Sequence, residues 1–184
     1  MPIRDFPPIR HALSSRQPTI SASAGWRSRC GWILSDALWA ELSRSTATPL
    51  AGGENLIGEA AFQAAIDAGS LSVIQPDAAK WGGPSGCLAV ARAARSAGRR
   101  YCPHFLGAGI GLVASAHILA AAGGDGMLEI DVNPNPLRDA IVPRWPFVQD
   151  GMVAPPQGVG LGVEPDLKQL APFETVRLVA DRRL

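Results

Sequence analysis

Apolar and polar positions in the middle of this chain follow a strand-then-helix rhythm. In A-L-W-A-E-L-S-R (37–44), Leu38, Trp39 and Leu42 fall on one helical face and Asp36 stands where an N-cap is needed, which predicts a helix from Ala37 to Arg44. P-L-A-G-G-E-N (49–55) predicts a short strand in which Leu50 and Glu54 share a face, because strand side chains repeat with period two. Ala61, Phe62, Ala65 and Ile66 make the buried stripe of a helix over Gly58 to Gly69, with Gly69 at its C′ position. Leu71 to Asp77 is apolar nearly as far as Gln75, as a parallel strand covered by helices should be. W-G-G-P-S-G then leads into a helix over Gly86 to Ala97. Tyr101 to Phe105 is a third strand, Leu112 to Ala122 an almost wholly apolar helix, and Met127 to Asp131 a fourth strand. Alternation of this kind predicts right-handed βαβ units and an α/β fold with about four parallel strands.

The two ends have a different texture. Residues 1–32 are rich in Pro, Ser and Arg, with no sustained period, and little fixed structure is expected there. Their resemblance to an organelle-targeting leader is the weaker reading, since no amphipathic helix is visible. Beyond Asn133 the chain is Pro- and Gly-rich, which predicts extended segments and turns, with one hairpin around Asp150-Gly151. The expected organisation is a disordered segment, or one unrelated to the rest of the fold, at 1–32, a barrel portion at 33–140, and an extended segment at 141–184 that packs over another surface.

Composition narrows the partners. The chain has 184 residues, 47% of them hydrophobic and 18% charged, with 17 basic and 16 acidic side chains. That balance gives no electrostatic case for nucleic acid or a membrane surface. The apolar run at 110–122 is too short to span a bilayer. Three cysteines, Cys30, Cys87 and Cys102, lack metal-ligand spacing and fit a reducing, cytoplasmic setting. Such a length suits one core, yet a complete eight-unit barrel takes roughly 250 residues.

Each predicted strand finishes at an ionisable residue: Glu54, Asp77, His104 and Glu129, recurring about every 25 residues. Alone, each has a plain structural reading: Glu54 as a helix cap, Asp77 paired with Lys80, His104 as a satisfied core histidine, Glu129 as a solvated acid. Together they carry more weight, because parallel strands open their C-terminal ends onto one face. A carboxylate beside an imidazole orients it for proton transfer near neutral pH, and a nearby glutamate can ligate a hard cation.

P-L-A-G-G-E-N (49–55), V-I-Q-P-D-A-A-K-W-G-G (73–83), Y-C-P-H-F (101–105) and L-E-I-D-V-N-P-N-P-L-R (128–138) together carry a family resemblance. Residues 37 to about 175 resemble the C-terminal barrel half of the mandelate racemase and muconate lactonising enzyme group in the enolase superfamily. Sites of that superfamily pair a Lys or His base with Mg²⁺ ions that stabilise an ene-diolate. The resemblance implies a partial TIM-type (β/α) barrel and an isomerase or acid-sugar dehydratase of the mandelate racemase-like branch. Motif by motif it implies Glu54 as a Mg²⁺ carboxylate, His104 as general base in a dyad with Asp77, and Glu129 as the group that hydrogen-bonds the substrate carboxylate. The capping domain, the Lys-x-Lys motif and two further metal carboxylates of the family are not recognisable in the chain. A truncated form with impaired turnover is therefore expected.

Three readings compete: a metal-dependent enzyme acting on a small carboxylate, a non-catalytic barrel fragment that binds or assembles, and a phosphate-binding barrel using the G-A-G-I-G loop at a helix N-terminus. The third ranks lowest, since those glycines have a simpler role in close backbone approach. Missing strands should leave the sheet open at the strand carrying Glu54, which invites self-association into a homo-oligomer. The four tips should converge on one end of the sheet, with the Asp77 carboxylate on a ring nitrogen of His104.

Overall fold

The computed structural model describes residues 9–11, 20–21, 36–143, 145–146 and 148–176. Along the chain the elements are β1 (Ile9–His11), β2 (Ile20–Ser21), α1 (Asp36–Ser45), β3 (Leu50–Gly52), α2 (Glu59–Ala68), β4 (Val73–Ile74) and α3 (Gly83–Ser96). There follow β5 (Arg100–Tyr101), α4 (Gly109–Ala122), β6 (Met127–Leu128), α5 (Pro136–Ile141), β7 (Met152–Val153), α6 (Leu167–Leu170) and a 3-10 turn at Ala171–Phe173. Strands β2, β3, β4 and β5 form one parallel sheet in that order. β6 pairs in parallel with β1, which pairs antiparallel with β7.

Side-chain alternation sorts the core. Leu50 and Ile74 pack with Phe62 and Ile66 of α2 and with Val90 and Ala94 of α3. Tyr101 and Leu128 pack with Cys87 and Ala91 of α3 and with Leu112, Ala116 and Leu119 of α4. The neighbouring positions, Ala51, Val73, Cys102 and Met127, gather on the opposite face. β5 and β6 share no ladder, but Met127 N–H donates to Cys102 Sγ at 3.3 Å, and a Cβ on Gly126 would run into the Tyr101 carbonyl. These four strands make an α/β wall of the barrel type, one face to the helices and one inward. Fully burying residues such as Phe62, at 1% exposure, contributes roughly 1.5–3 kcal/mol each.

β4 and β5 are shorter than predicted, and proline is the reason. β4 and β5 exchange bonds as far as Cys102 N–H to Ile74 O at 3.1 Å, and His104 N–H still reaches Pro76 O at 3.1 Å. Pro76 has no N–H to return toward Cys102, so the ladder stops while the backbone stays extended to His104. Helix α2 closes as predicted: Gly69, at φ 74°, donates its N–H to Ile66 O. Helix α3 begins at Gly83, earlier than predicted, because Pro84 is tolerated in a first turn whose N–H groups lack partners. In α1 only Trp39 reaches the core, while Leu38 and Leu42 remain exposed.

Two expectations are corrected at the N-terminus. Short strands form at 9–11 and 20–21, within the stretch expected to have little fixed structure; the rest of 1–32 lies outside the described residues. β2 lies along β3 with Ile20 opposite Leu50, so the edge of the strand preceding Glu54 is not open.

Helix α4 is apolar on all sides because both sides are covered. Leu112, Ala116 and Leu119 face the sheet, and Val113 packs with Ile141, Val142, Leu161, Val163 and Leu170 from the C-terminal segment. His117 Nε2 lies 3.1 Å from Leu161 O on that side. The predicted hairpin is present: Gln149 and Met152 exchange both backbone bonds, with Asp150 and Gly151 at φ 52° and 73°. No helix among the described residues is long and apolar enough to cross a membrane.

Candidate functional site

Each polar tip stands just past its strand, where the ladder has ended and a loop begins. Glu54 does not keep the face of Leu50 that period two gives it. Gly53 between them has φ 117°, a conformation open mainly to glycine, and there the chain turns before Glu54. A side chain at Gly53 would also press on Gln75 N at 3.3 Å and Phe62 Cε1 at 3.4 Å. His104 is fixed through its own N–H on Pro76 O.

The imidazole of His104, 3% exposed, lies between two carboxylates. Its Nε2 is 2.9 Å from Glu54 Oε2, and its Nδ1 is 2.7 Å from Glu129 Oε2. The expected Asp77–His104 hydrogen bond is therefore not formed. Asp77 is drawn the other way by the turn it starts: its carbonyl accepts from Lys80 and Trp81 N–H at 3.1 and 3.0 Å, and its Oδ1 accepts from Ala79 N–H at 2.8 Å. Its Oδ2 lies 3.9 Å from Lys80 Nζ. Three of the four tips meet directly, and the fourth joins them through two intervening side chains.

Two residues outside the sequence-derived set complete the connection. Asn55 Nδ2 donates to Glu54 Oε1 at 3.0 Å, and Lys80 Nζ donates to Asn55 Oδ1 at 3.1 Å. A polar chain runs from Asp77 through Lys80, Asn55 and Glu54 to His104 and Glu129. Both lie inside the quoted motifs, G-G-E-N and P-D-A-A-K; Lys80 is the partner that the plain structural reading gives Asp77, and for Asn55 position next to a tip was the available signal.

Neighbouring thiols are not nucleophiles. Burial first, then the Asp77 charge, pushes Cys87 up to about 11; burial likewise pushes Cys102 up to about 11. The G-A-G-I-G loop has a packing role: a Cβ on Gly109 would strike Val142, and one on Gly111 would strike the ring of Phe105, the residue after His104. Among the described residues no group of three or more His, Cys, Asp or Glu could hold a metal ion. Glu54, the carboxylate that the resemblance assigns to Mg²⁺, is directed at His104 instead. Such an arrangement can hold a proton at an imidazole and orient that ring from both sides.

The chain is similar to a D-galactarolactone cycloisomerase from Agrobacterium fabrum, 32% identical over 133 residues, covering 68% of this chain and 35% of that protein. A D-galactonate dehydratase from Ralstonia nicotianae is 31% identical over 134 residues, covering 70% and 35%. Among solved structures, a mandelate racemase/muconate lactonizing enzyme from Bordetella bronchiseptica RB50 superposes with a TM-score of 0.71 at 54% identity, covering 76% of this chain and 39% of that one. The chain thus spans about a third of the length of the curated relatives it matches. Residues 34–169 match the enolase C-terminal domain-like model, and with the parallel strand wall and its polar strand ends this chain belongs to that family.

Proposed function

We propose that this chain carries the proton-transfer portion of an enzyme site that removes the hydrogen α to a carboxylate in a small hydroxy or sugar acid, leading to racemisation, epimerisation or dehydration. The observation that supports this is the buried His104 held between Glu54 and Glu129 at the ends of parallel strands. His104 is the base. Glu129 keeps Nδ1, so Nε2 is the nitrogen that takes the α-hydrogen, and Glu54 must yield that position to substrate. The C–H electron pair passes into the carboxylate, and the proton on Nε2 then returns to carbon, or a β-hydroxyl leaves as water with a proton. Asp77 acts from a distance, through Lys80, and Glu129 orients the base in place of Asp77.

Magnesium chemistry belongs to the family resemblance, but the donor set of the described residues does not fit a cation cage, and no step above depends on one. Weak Mg²⁺ affinity by calorimetry is the expected result. Impaired turnover in a reducing, cytoplasmic setting completes the reading, with a small carboxylate as the partner rather than nucleic acid or membrane. A second reading, a non-catalytic module that binds or assembles, is favoured by the same poor fit among the described residues. Deuterium incorporation at the α-carbon of a panel of hydroxy and sugar acids in D₂O decides between them. Slow exchange abolished by His104→Asn is expected. Exchange indifferent to that substitution overturns the assignment of His104, and no exchange with any acid selects the non-catalytic reading.

A further inference from the structure

We infer that Asn55 and Lys80 are positioning residues that hold Glu54 against Nε2 of His104, and that Asp77 bears on the site through them. The orientation of the Asn55 amide is fixed by its partners. An ammonium can only donate and a carboxylate can only accept, so Oδ1 must face Lys80 and Nδ2 must face Glu54, as the distances of 3.1 and 3.0 Å require. The two bonds reinforce each other, since the ammonium polarises the amide and makes Nδ2–H a better donor. With Oε1 of Glu54 tied to Asn55, Oε2 is the oxygen presented to His104 at 2.9 Å. Asp77 holds the far end: Oδ2 lies 3.9 Å from Lys80 Nζ while Oδ1 is tied to Ala79 N–H. The loops after β3 and after β4, already tied by Gln75 N–H on Gly52 O at 2.8 Å, are joined here by side chains close to the site. The inference deepens the proton-transfer reading and rests on it for any effect on turnover, but its geometric content stands apart.

The test reads the ring ¹⁵N shifts of His104 in ¹⁵N-labelled full-length chain, without substrate. In the parent the two nitrogens report separate neighbours, Nδ1 the Glu129 carboxylate at 2.7 Å and Nε2 the Glu54 carboxylate at 2.9 Å. Lys80→Met and Asn55→Leu should each shift the Nε2 signal and leave Nδ1 unchanged. The double variant should match either single one, and Lys80→Arg should return the Nε2 signal part of the way to its parent position. A general loosening of the fold would move both nitrogens together, and that outcome overturns the inference, as does an Nε2 signal unchanged in both variants. Since no substrate is involved, a chain that exchanges no α-hydrogen can still satisfy this test, and one that does can fail it.

Discussion

Exchanging Glu129 for Gln and Asp77 for Asn separates the two carboxylates that compete for the role of orienting His104. Gln keeps the volume at Nδ1 but removes the charge from a contact of 2.7 Å. A hydrogen bond to a charged group contributes about 1.5–3 kcal/mol; Glu129 is 28% exposed, so the lower part of that range, about 1.5–2 kcal/mol, is expected for Glu129→Gln. Asp77→Asn retains the acceptor for Ala79 N–H, and what it loses is a pair at 3.9 Å with a lysine that is 41% exposed. Pairs of that kind are worth about 0–1 kcal/mol. Urea unfolding at pH 7, extrapolated linearly to water with unchanged slope, gives both values. If Asp77→Asn costs as much as Glu129→Gln, the reassignment of the orienting carboxylate is wrong.

Other consequences follow from buried polar groups and close contacts. Tyr101 is 1% exposed and its hydroxyl has no hydrogen-bond partner among the described residues, so Tyr101→Phe should raise the unfolding free energy by about 1 kcal/mol; a clear loss would show that the hydroxyl is satisfied. Gly111→Ala should cost about 1–3 kcal/mol, because the added methyl drives into Phe105, and should also disturb the His104 ring signals; a neutral result would refute the packing role of the G-A-G-I-G loop. Alkaline unfolding should involve Cys102, whose thiol has an ordinary value of 9.0 and rises to about 11 in the fold. Below pH 9 both states keep the proton and the contribution is complete. Above it the unfolded thiol ionises first, so on the order of 2–3 kcal/mol is lost as pH rises through about 11. Cys102→Ala should flatten that part of the stability curve measured by urea titration.

Helix positions were legible because their signal is long and redundant: Phe62 and Ile66 fix one face of α2, and Gly69 stops it. Parallel pairing was legible in the regular return of strand, loop and helix. What failed was set by single residues. Gly53 reverses the face of Glu54, and Pro76 ends a ladder that its apolar neighbours would have extended. β1 and β2 are too short to show a period at all. The partner of His104 was misread for a different reason. Strand-end position brings residues to one mouth but does not decide which carboxylate wins a ring nitrogen, and Asp77 lost because the turn at Ala79 claimed its oxygen.

The pairing of β1 with β6 also bears on the order in which the molecule can assemble. Arg10 and Met127 stand opposite each other although most of the chain separates them. The units β3–α2–β4 and β4–α3–β5 close over far shorter distances and can form while the ribosome is still extending the chain. β1 has to wait. Its parallel neighbour and its antiparallel one, β7, both emerge late, so the first of the described strands is among the last to be seated.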